Sequence, residues 1–181
     1  MGAGELLAAL DSKEPPVRLR ASKALRELSR VSPEEVYPHF DAIAALLRHT
    51  NKVLVWNATF ALAHLAPVDR DRKLDRILDV YLGLVAGPVM VTAANAIKGA
   101  AMIAQARPDL AEQIAGKLLS VEKADYATPM CRNVAVGHAL EALTAISGLL
   151  ADHRKLRAFA LRQVKNPRPA TARKAAALLK R

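Results

Sequence analysis

Cysteine is nearly absent from this chain of 181 residues. Cys131 stands alone, so an intrachain disulfide and a multi-cysteine zinc site are both excluded. A reducing, cytoplasmic setting is the default expectation for such a chain. Aromatic residues make up only 4% of the sequence, against 52% hydrophobic residues overall. Its core must therefore be built from Ala, Leu, Val and Ile, which suits closely spaced helices better than a sandwich or barrel. No run of about 18 apolar residues occurs, so a membrane span is not expected. The first twelve residues lack a basic start followed by a long apolar stretch, so a secretory signal is not expected either. There is no Gly-rich phosphate loop, no Gly-x-Ser-x-Gly and no zinc motif. Acidic residues are missing from one place in particular. Residues 151–181 carry ten basic side chains (Arg181 among them) and one acidic one, Asp152, while the first 150 residues are nearly balanced. That stretch accounts for most of the net charge of +10.

What the chain does have is one short pattern that recurs. Its clearest copies are Ala21-x-x-Ala24-Leu25-x-x-Leu28 and Ala58-x-x-Ala61-Leu62-x-x-Leu65. Three looser copies follow: Ala93-x-x-Ala96-Ile97-x-x-Ala100, Val136-x-x-Ala139-Leu140-x-x-Leu143 and Ala172-x-x-Ala175-Ala176-x-x-Leu179. The spacing i, i+3, i+4, i+7 is one apolar face of an α-helix. Starts separated by 37, 35, 43 and 36 residues indicate an array of helix pairs. The expected fold is all-α, a right-handed α-solenoid of about five helix pairs. It is read as a single domain over 1–181, with repeats at about 3–31, 32–67, 69–106, 108–148 and 152–181.

Local signals place the ends of the helices. Ser32-Pro33-Glu34-Glu35 reads as a capping box with Pro at N1. Pro38 should kink or restart the helix it falls in. Asn51 and Thr128 read as N-caps, and Asp69 or Asp71 should open the third repeat. Gly87-Pro88 and Ser147-Gly148 read as breaks, and Asp152 should cap the last pair. The longest connection is expected around 122–127, where the spacing stretches to 43 residues.

The segment Pro16-Val17-Arg18-Leu19-Arg20-Ala21-Ser22-Lys23-Ala24-Leu25 resembles the second helix of a HEAT repeat, and Pro38 fits that family's habit of a proline in the first helix. The likeness extends over the whole chain, with the Val-Arg pair decaying to Leu54-Val55, Val89-Met90 and Arg132-Asn133. It implies a binding scaffold whose second helices line an extended concave surface.

Opposite the apolar stripe, projection at 100° per residue gives three rows. The first holds Leu19, Trp56, Val91, Val134 and Ala170. The second holds Lys23, Phe60, Asn95, His138 and Lys174. The third holds Arg26, Ala63, Lys98, Glu141 and Ala177. The expected partner-binding residues are Lys23, Arg26, Trp56, Phe60, Asn95, Lys98, His138 and Glu141, since aromatics and Arg dominate interface energetics. A cross-repeat ion pair between Lys98 and Glu141 is also expected. Trp56 and Phe60 admit a second placement, as core residues of a helix that is apolar nearly all round. The basic end reads either as a polar cap or as an anion patch at Arg157, Arg168, Arg173 and Lys174.

Chemistry is harder to find. His138-x-x-Glu141 puts two metal-ligating types on one helical face, but three or four are needed and no partner pair stands out. Cys131 lies in a helix's first turn beside Arg132 without an identifiable catalytic partner. No catalytic constellation, metal or cofactor is expected. Two functions remain. One is a non-catalytic scaffold for a protein or peptide, acidic in character. The other is a nucleic-acid binder similar to the HEAT-like alkylpurine DNA glycosylases, which pair a cleft aromatic with a carboxylate. Glu141 is the only carboxylate in the three rows, and the positive charge is gathered at one end, so the scaffold is favoured.

Overall fold

A computed structural model describes residues 1–180; Arg181, one of the C-terminal cations counted above, lies outside them. The described residues are all-α, and their helix pairs stack as in a right-handed α-solenoid. The helices are α1 (Ala3–Ala9), α2 (Pro15–Val31), α3 (Pro33–Val36), α4 (Phe40–Ala45), α5 (Lys52–Leu65), α6 (Lys73–Gly83), α7 (Met90–Ala106), α8 (Ala111–Leu119), α9 (Pro129–Ile146), α10 (Arg154–Gln163) and α11 (Pro169–Leu179). Short 3-10 turns join many of them. Two compact units divide the chain, residues 1–81 and residues from 82 onward.

In the first unit α2 packs along α5, and α1 packs on α2. The core is aliphatic, as the scarcity of aromatics requires. Ala58, Ala61, Leu62 and Leu65 of the second copy are all buried. The first copy buries Ala21 and Leu25 but leaves Ala24 exposed; Ser22 and Ser29 complete the buried side instead. These hydroxyls are satisfied locally: Ser22 Oγ donates to the Leu19 carbonyl (3.0 Å) and Ser29 Oγ to that of Leu25 (2.8 Å). Ser22 Oγ also accepts from the buried Asn57 amide at 3.1 Å, and the same amide donates to the Val53 carbonyl. A polar bridge of this kind fixes the relative position of α2 and α5, because sliding either helix would strand a buried donor.

The connection from α5 to α6 is held by one carboxylate. Asp69 is buried and accepts from the backbone N–H groups of Lys73 (2.7 Å) and Leu74 (3.0 Å) and from the Tyr37 hydroxyl (2.9 Å). Of the two aspartates expected to open this repeat, Asp69 is therefore the one that caps α6. Asp71 contributes its backbone N–H, which donates to the Tyr37 oxygen at 3.1 Å. Arg72, just before α6, turns the chain with a φ of 52°, a left-handed conformation. Lys73 then lies with its Nζ 5.2 Å from the Tyr37 ring centre and 3.3 Å from Asp41.

The capping box expected at Ser32 does not form. Ser32 starts α3 but also ends α2, with φ −140° and ψ 61°, and its side chain makes no cap hydrogen bond. Its backbone N–H is instead committed to the Leu28 carbonyl at 2.8 Å. Pro38 does interrupt the helix: α3 ends after four residues, a 3-10 turn carries Tyr37–His39, and α4 restarts at Phe40. Asn51 caps α5 as expected, its Oδ1 accepting from Val53 N–H at 3.0 Å.

In the second unit α9 packs against both α7 and α11, and α10 pairs with α11. The third and fourth copies are buried at every position: Ala93, Ala96, Ile97 and Ala100 on α7, and Val136, Ala139, Leu140 and Leu143 on α9. Thr128 caps α9, its Oγ1 accepting from Cys131 N–H at 3.1 Å. Asp152 accepts from Arg154 N–H at 2.8 Å at the start of α10. The long connection before α9 is pinned by Tyr126, which is buried and donates its hydroxyl to the Val85 carbonyl at 2.6 Å.

The fifth copy sits one residue away from its expected register. Thr171, Ala175 and Leu178 are buried on α11, whereas Ala176 is exposed and Ala172 and Leu179 are half-buried. The cause is a close helix approach. Thr171 Oγ1 lies only 2.6 Å from where a Cβ on Gly137 would stand, and it donates to the Asn133 carbonyl at 2.8 Å. Only glycine leaves room for the threonine there.

Candidate interaction surface

The three outward rows fall on the exposed or half-buried side of the second helices, with one exception. Ala63 is buried, at 2% exposure. In the first unit Trp56 and Phe60 are both half-buried, so neither is a core residue in the sense of Leu62 or Leu65. Lys23 and Arg26 on α2 are exposed, and the Arg26 guanidinium carbon stands 5.5 Å from the Phe60 ring centre. A cation over an aromatic face at this distance is attracted by the ring quadrupole. Arg30, one turn on, is tied to Glu27 by an i,i+3 ion pair. That hydrogen bond draws the Glu27 carboxyl down and raises the Arg30 guanidinium.

His64 belongs to this surface although the projection did not single it out. It lies four residues after Phe60, on the same face of α5, and that spacing was the available signal. Burial lowers the His64 pKa, a hydrogen bond to the Arg26 backbone opposes it, and the charges of Arg26 and Arg30 lower it further. Its Nδ1 is buried without a hydrogen-bond partner.

The second unit holds a similar arrangement around His138. Asn95 is half-buried on α7, Lys98 is exposed one turn on, and Glu141 is exposed on α9. Glu141 does not pair with Lys98 as expected. Its Oε2 takes Lys174 Nζ at 2.7 Å, because the approach of α11 to α9 at Gly137 brings that lysine alongside. The bond to Lys174 draws the Glu141 carboxyl below its usual range. Burial lowers the His138 pKa, Lys98 and Lys174 lower it further, and Glu141 opposes them. His138 Nδ1, like that of His64, is buried and unpartnered.

The basic end is less one-sided than the sequence indicates. Arg154 pairs with Asp152, Arg162 with Glu122 at 2.6 Å, and Lys174 with Glu141. Glu122 and Glu141 come from elements forty and thirty-three residues earlier, which counting along the last stretch cannot reveal. Of the expected anion patch, Arg157 and Arg173 are exposed and make no ion pair among the described residues. Arg168 is half-buried, with its backbone N–H on Asn166 Oδ1 and Nη1 3.4 Å from Thr171 Oγ1. Lys174 is neutralised by Glu141.

Among the described residues no group of three His, Cys, Asp or Glu side chains is placed to hold a metal ion. His138 and Glu141 therefore remain a pair. Cys131 is half-buried and unbridged. No described helix is long and apolar enough to cross a membrane.

No family model and no curated protein matches the chain. Solved structures do. An engineered protein studied by a structural genomics consortium superposes with a TM-score of 0.58 at 18% identity, over 97% of this chain and 77% of the other. A designed armadillo repeat protein gives a TM-score of 0.44 at 11% identity, over 97% of this chain and 98% of the other, a likeness too slight to argue from. At these identities the first shows the fold alone, a helical repeat of the solenoid type.

Proposed function

We propose that the chain is a HEAT-like scaffold without catalytic activity that binds a protein partner through the outward side of its second helices, and that the basic last helix pair favours an acidic partner. The observation that carries this reading is where the scarce aromatics lie. Tyr37, Phe40, Tyr81, Tyr126 and Phe159 are buried, whereas Trp56 and Phe60 are left half-exposed beside Arg26 and Lys23. Exposing the only tryptophan is costly for a core this poor in aromatics, and Trp, Tyr and Arg are the side chains that anchor interfaces. Asn95, Lys98, His138 and Glu141 supply a polar counterpart in the second unit. Arg157 and Arg173 supply uncompensated positive charge, which speeds and orients encounter with an acidic surface. Glu141, the one carboxylate that a glycosylase-like reading would need, is committed to Lys174, which favours the scaffold over nucleic-acid chemistry.

The test is affinity capture from the native cell with the whole chain, identified by mass spectrometry, beside a Trp56→Ala/Phe60→Ala variant and an Arg157→Glu/Arg173→Glu variant. The reading expects a discrete protein partner whose retention falls in both variants while their circular dichroism stays helical. Labelled DNA or RNA retained at low salt and released steeply as salt rises would replace it with the nucleic-acid reading, since phosphate contacts release counterions.

A further inference from the structure

A groove beside α10 lies apart from the outward rows of the second helices and is bounded by the Arg162–Glu122 pair of the basic end. Two cavities flank the Arg162 side chain. One, of about 310 Å³, lies between the end of α8 and α10, where Leu119 and Ala158 give it an aliphatic floor beside Lys155. The other, of about 470 Å³, runs on toward the first turns of α9 and the turn into α11, lined by Arg132, Asn133, Lys165 and Asn166. Both are bounded by Glu122, Lys123 and Arg162. They are therefore two ends of one groove, aliphatic at one end and lined by side-chain amides at the other. Each end falls near or within the range of roughly 300–1,000 Å³ typical of ligand sites.

The charge of this groove has one sign. Lys123, Arg132, Lys155, Arg162 and Lys165 line it against Glu122 alone. Glu122 is itself fully engaged: Oε1 accepts from Arg162 Nη2 at 2.6 Å and Oε2 from Gln163 Nε2 at 2.8 Å. The pair cancels, and four cations remain. Lys123, Lys155 and Lys165 are exposed and make no ion pair among the described residues. Arg132 spends its Nε on the Ala124 carbonyl, which fixes the side chain at the groove wall. The amide end is equally fixed, because Asn166 Nδ2 donates to both Asn133 Oδ1 and Gln163 Oε1. The positive N-terminal turn of α9 adds to the same field. A groove with locked walls loses little entropy on binding.

We propose that this groove binds an acidic peptide segment of a partner protein, its carboxylates against Lys123, Arg132 and Lys165 and an aliphatic side chain on Leu119 and Ala158. A nucleic acid fits less well. Bases need aromatic faces to stack on, and none lines the groove; Phe159 and Tyr126, the aromatics nearest in sequence, are both buried. The aliphatic floor has no use for a phosphate, whereas a Leu or Ile side chain would bury area there.

The proposal rests on the protein-binding reading above and gives that reading a second surface. Selection of random dodecapeptides on the full chain, followed by fluorescence anisotropy of the enriched peptides, tests it. The expected sequences carry Asp or Glu within a few residues of Leu, Ile or Val. Their affinity should drop at least about tenfold in Lys123→Glu/Lys165→Glu and in Ala158→Glu, and hold in Lys52→Glu, an exposed position outside the groove, with Arg157→Glu/Arg173→Glu measured beside them. All of these positions are exposed, so circular dichroism should show every variant folded. Enriched peptides that are not acidic, or that bind the groove variants as well as the parent chain, overturn the groove. If acidic peptides instead lose affinity only in Arg157→Glu/Arg173→Glu, the groove fails while the scaffold reading stands. No enrichment above background overturns the groove, while the scaffold reading stands or falls on affinity capture with the whole chain. A single-stranded oligonucleotide that binds the parent chain and not Lys123→Glu/Lys165→Glu replaces the peptide with nucleic acid.

Discussion

Replacing Gly137 with alanine should destabilise the protein even though alanine is the better helix former. In the middle of a helix the change is worth about 1 kcal/mol in favour of alanine on backbone grounds alone. Against this stands a contact that cannot persist: the new Cβ would lie 2.6 Å from Thr171 Oγ1. Either α9 and α11 separate, which loosens the packing of the last helix pair, or Thr171 changes rotamer and gives up its 2.8 Å bond to the Asn133 carbonyl. Overpacking of this kind costs about 1–3 kcal/mol, and the lost hydrogen bond about 1 kcal/mol. We expect a net loss of about 1–2 kcal/mol for Gly137→Ala. A four-variant cycle isolates the cause. Thr171→Ala alone should cost about 1 kcal/mol through the lost bond. With Thr171 already alanine, the nearest atom across the interface is its Cβ at 3.6 Å, an ordinary contact, so the double variant should be no less stable than Thr171→Ala. Urea unfolding of all four, followed by circular dichroism, measures the coupling. A Gly137→Ala variant as stable as the parent, or a coupling below about 0.5 kcal/mol, would refute the claim that this glycine is required for the helix approach.

Tyr37→Phe removes the hydroxyl that bonds Asp69 and receives the Asp71 N–H, and should cost about 1–3 kcal/mol in urea unfolding, because Asp69 is buried. Tyr126→Phe should cost about 1 kcal/mol through the Val85 carbonyl it leaves unbonded, with the unfolding measured in the same way. The histidines set a pH dependence. His64 and His138 have lowered pKa values in the folded state, so between there and the ordinary value near 6.5 the unfolded chain binds more protons and stability rises with pH. Unfolding free energy should therefore fall as pH drops below about 6.5, before the lowered Glu141 carboxyl begins to titrate, and a His64→Gln/His138→Gln variant should flatten the curve in that window.

The parts of the fold that follow from local spacing were legible. The copies at Ala58, Ala93 and Val136 are buried throughout, and Asn51 and Thr128 cap the helices they precede, because apolar periodicity and cap chemistry act over a few residues. Pro38 acted as a break because its ring cannot continue a helix. What escaped the sequence depends on which distant residues meet. Ser22 and Ser29 look like surface positions until Asn57 and the helix carbonyls satisfy them. Ala24 has the right type for a core position but no helix over it. The Ser32 capping box has the right letters, yet its backbone is shared with the end of α2. Among the candidate site residues, the half-burial of Trp56 and Phe60 depends on how α2 lies against α5, which no pattern within α5 could decide.

The register of α11 and the charge of the C-terminal stretch are one fact seen twice. Gly137 admits Thr171, and that contact fixes which side of α11 is buried: Thr171 and Leu178 beside the expected Ala175, in place of Ala172, Ala176 and Leu179. The same rotation sets Lys174 beside Glu141 and leaves Arg173 exposed. Lys174 is thus compensated through a packing contact, whereas Arg154 meets Asp152 simply by its place in the chain. It follows that Gly137→Ala should disturb more than stability. If α11 turns or lifts to relieve the clash, Lys174 leaves Glu141, and the Glu141 carboxyl should titrate closer to its ordinary value than in the parent chain. Carboxyl chemical shifts followed by NMR through the acid range read this directly. An unmoved Glu141 titration in a destabilised Gly137→Ala variant would mean that the clash is absorbed by Thr171 alone, with α11 held in place by Ala175 and Leu178.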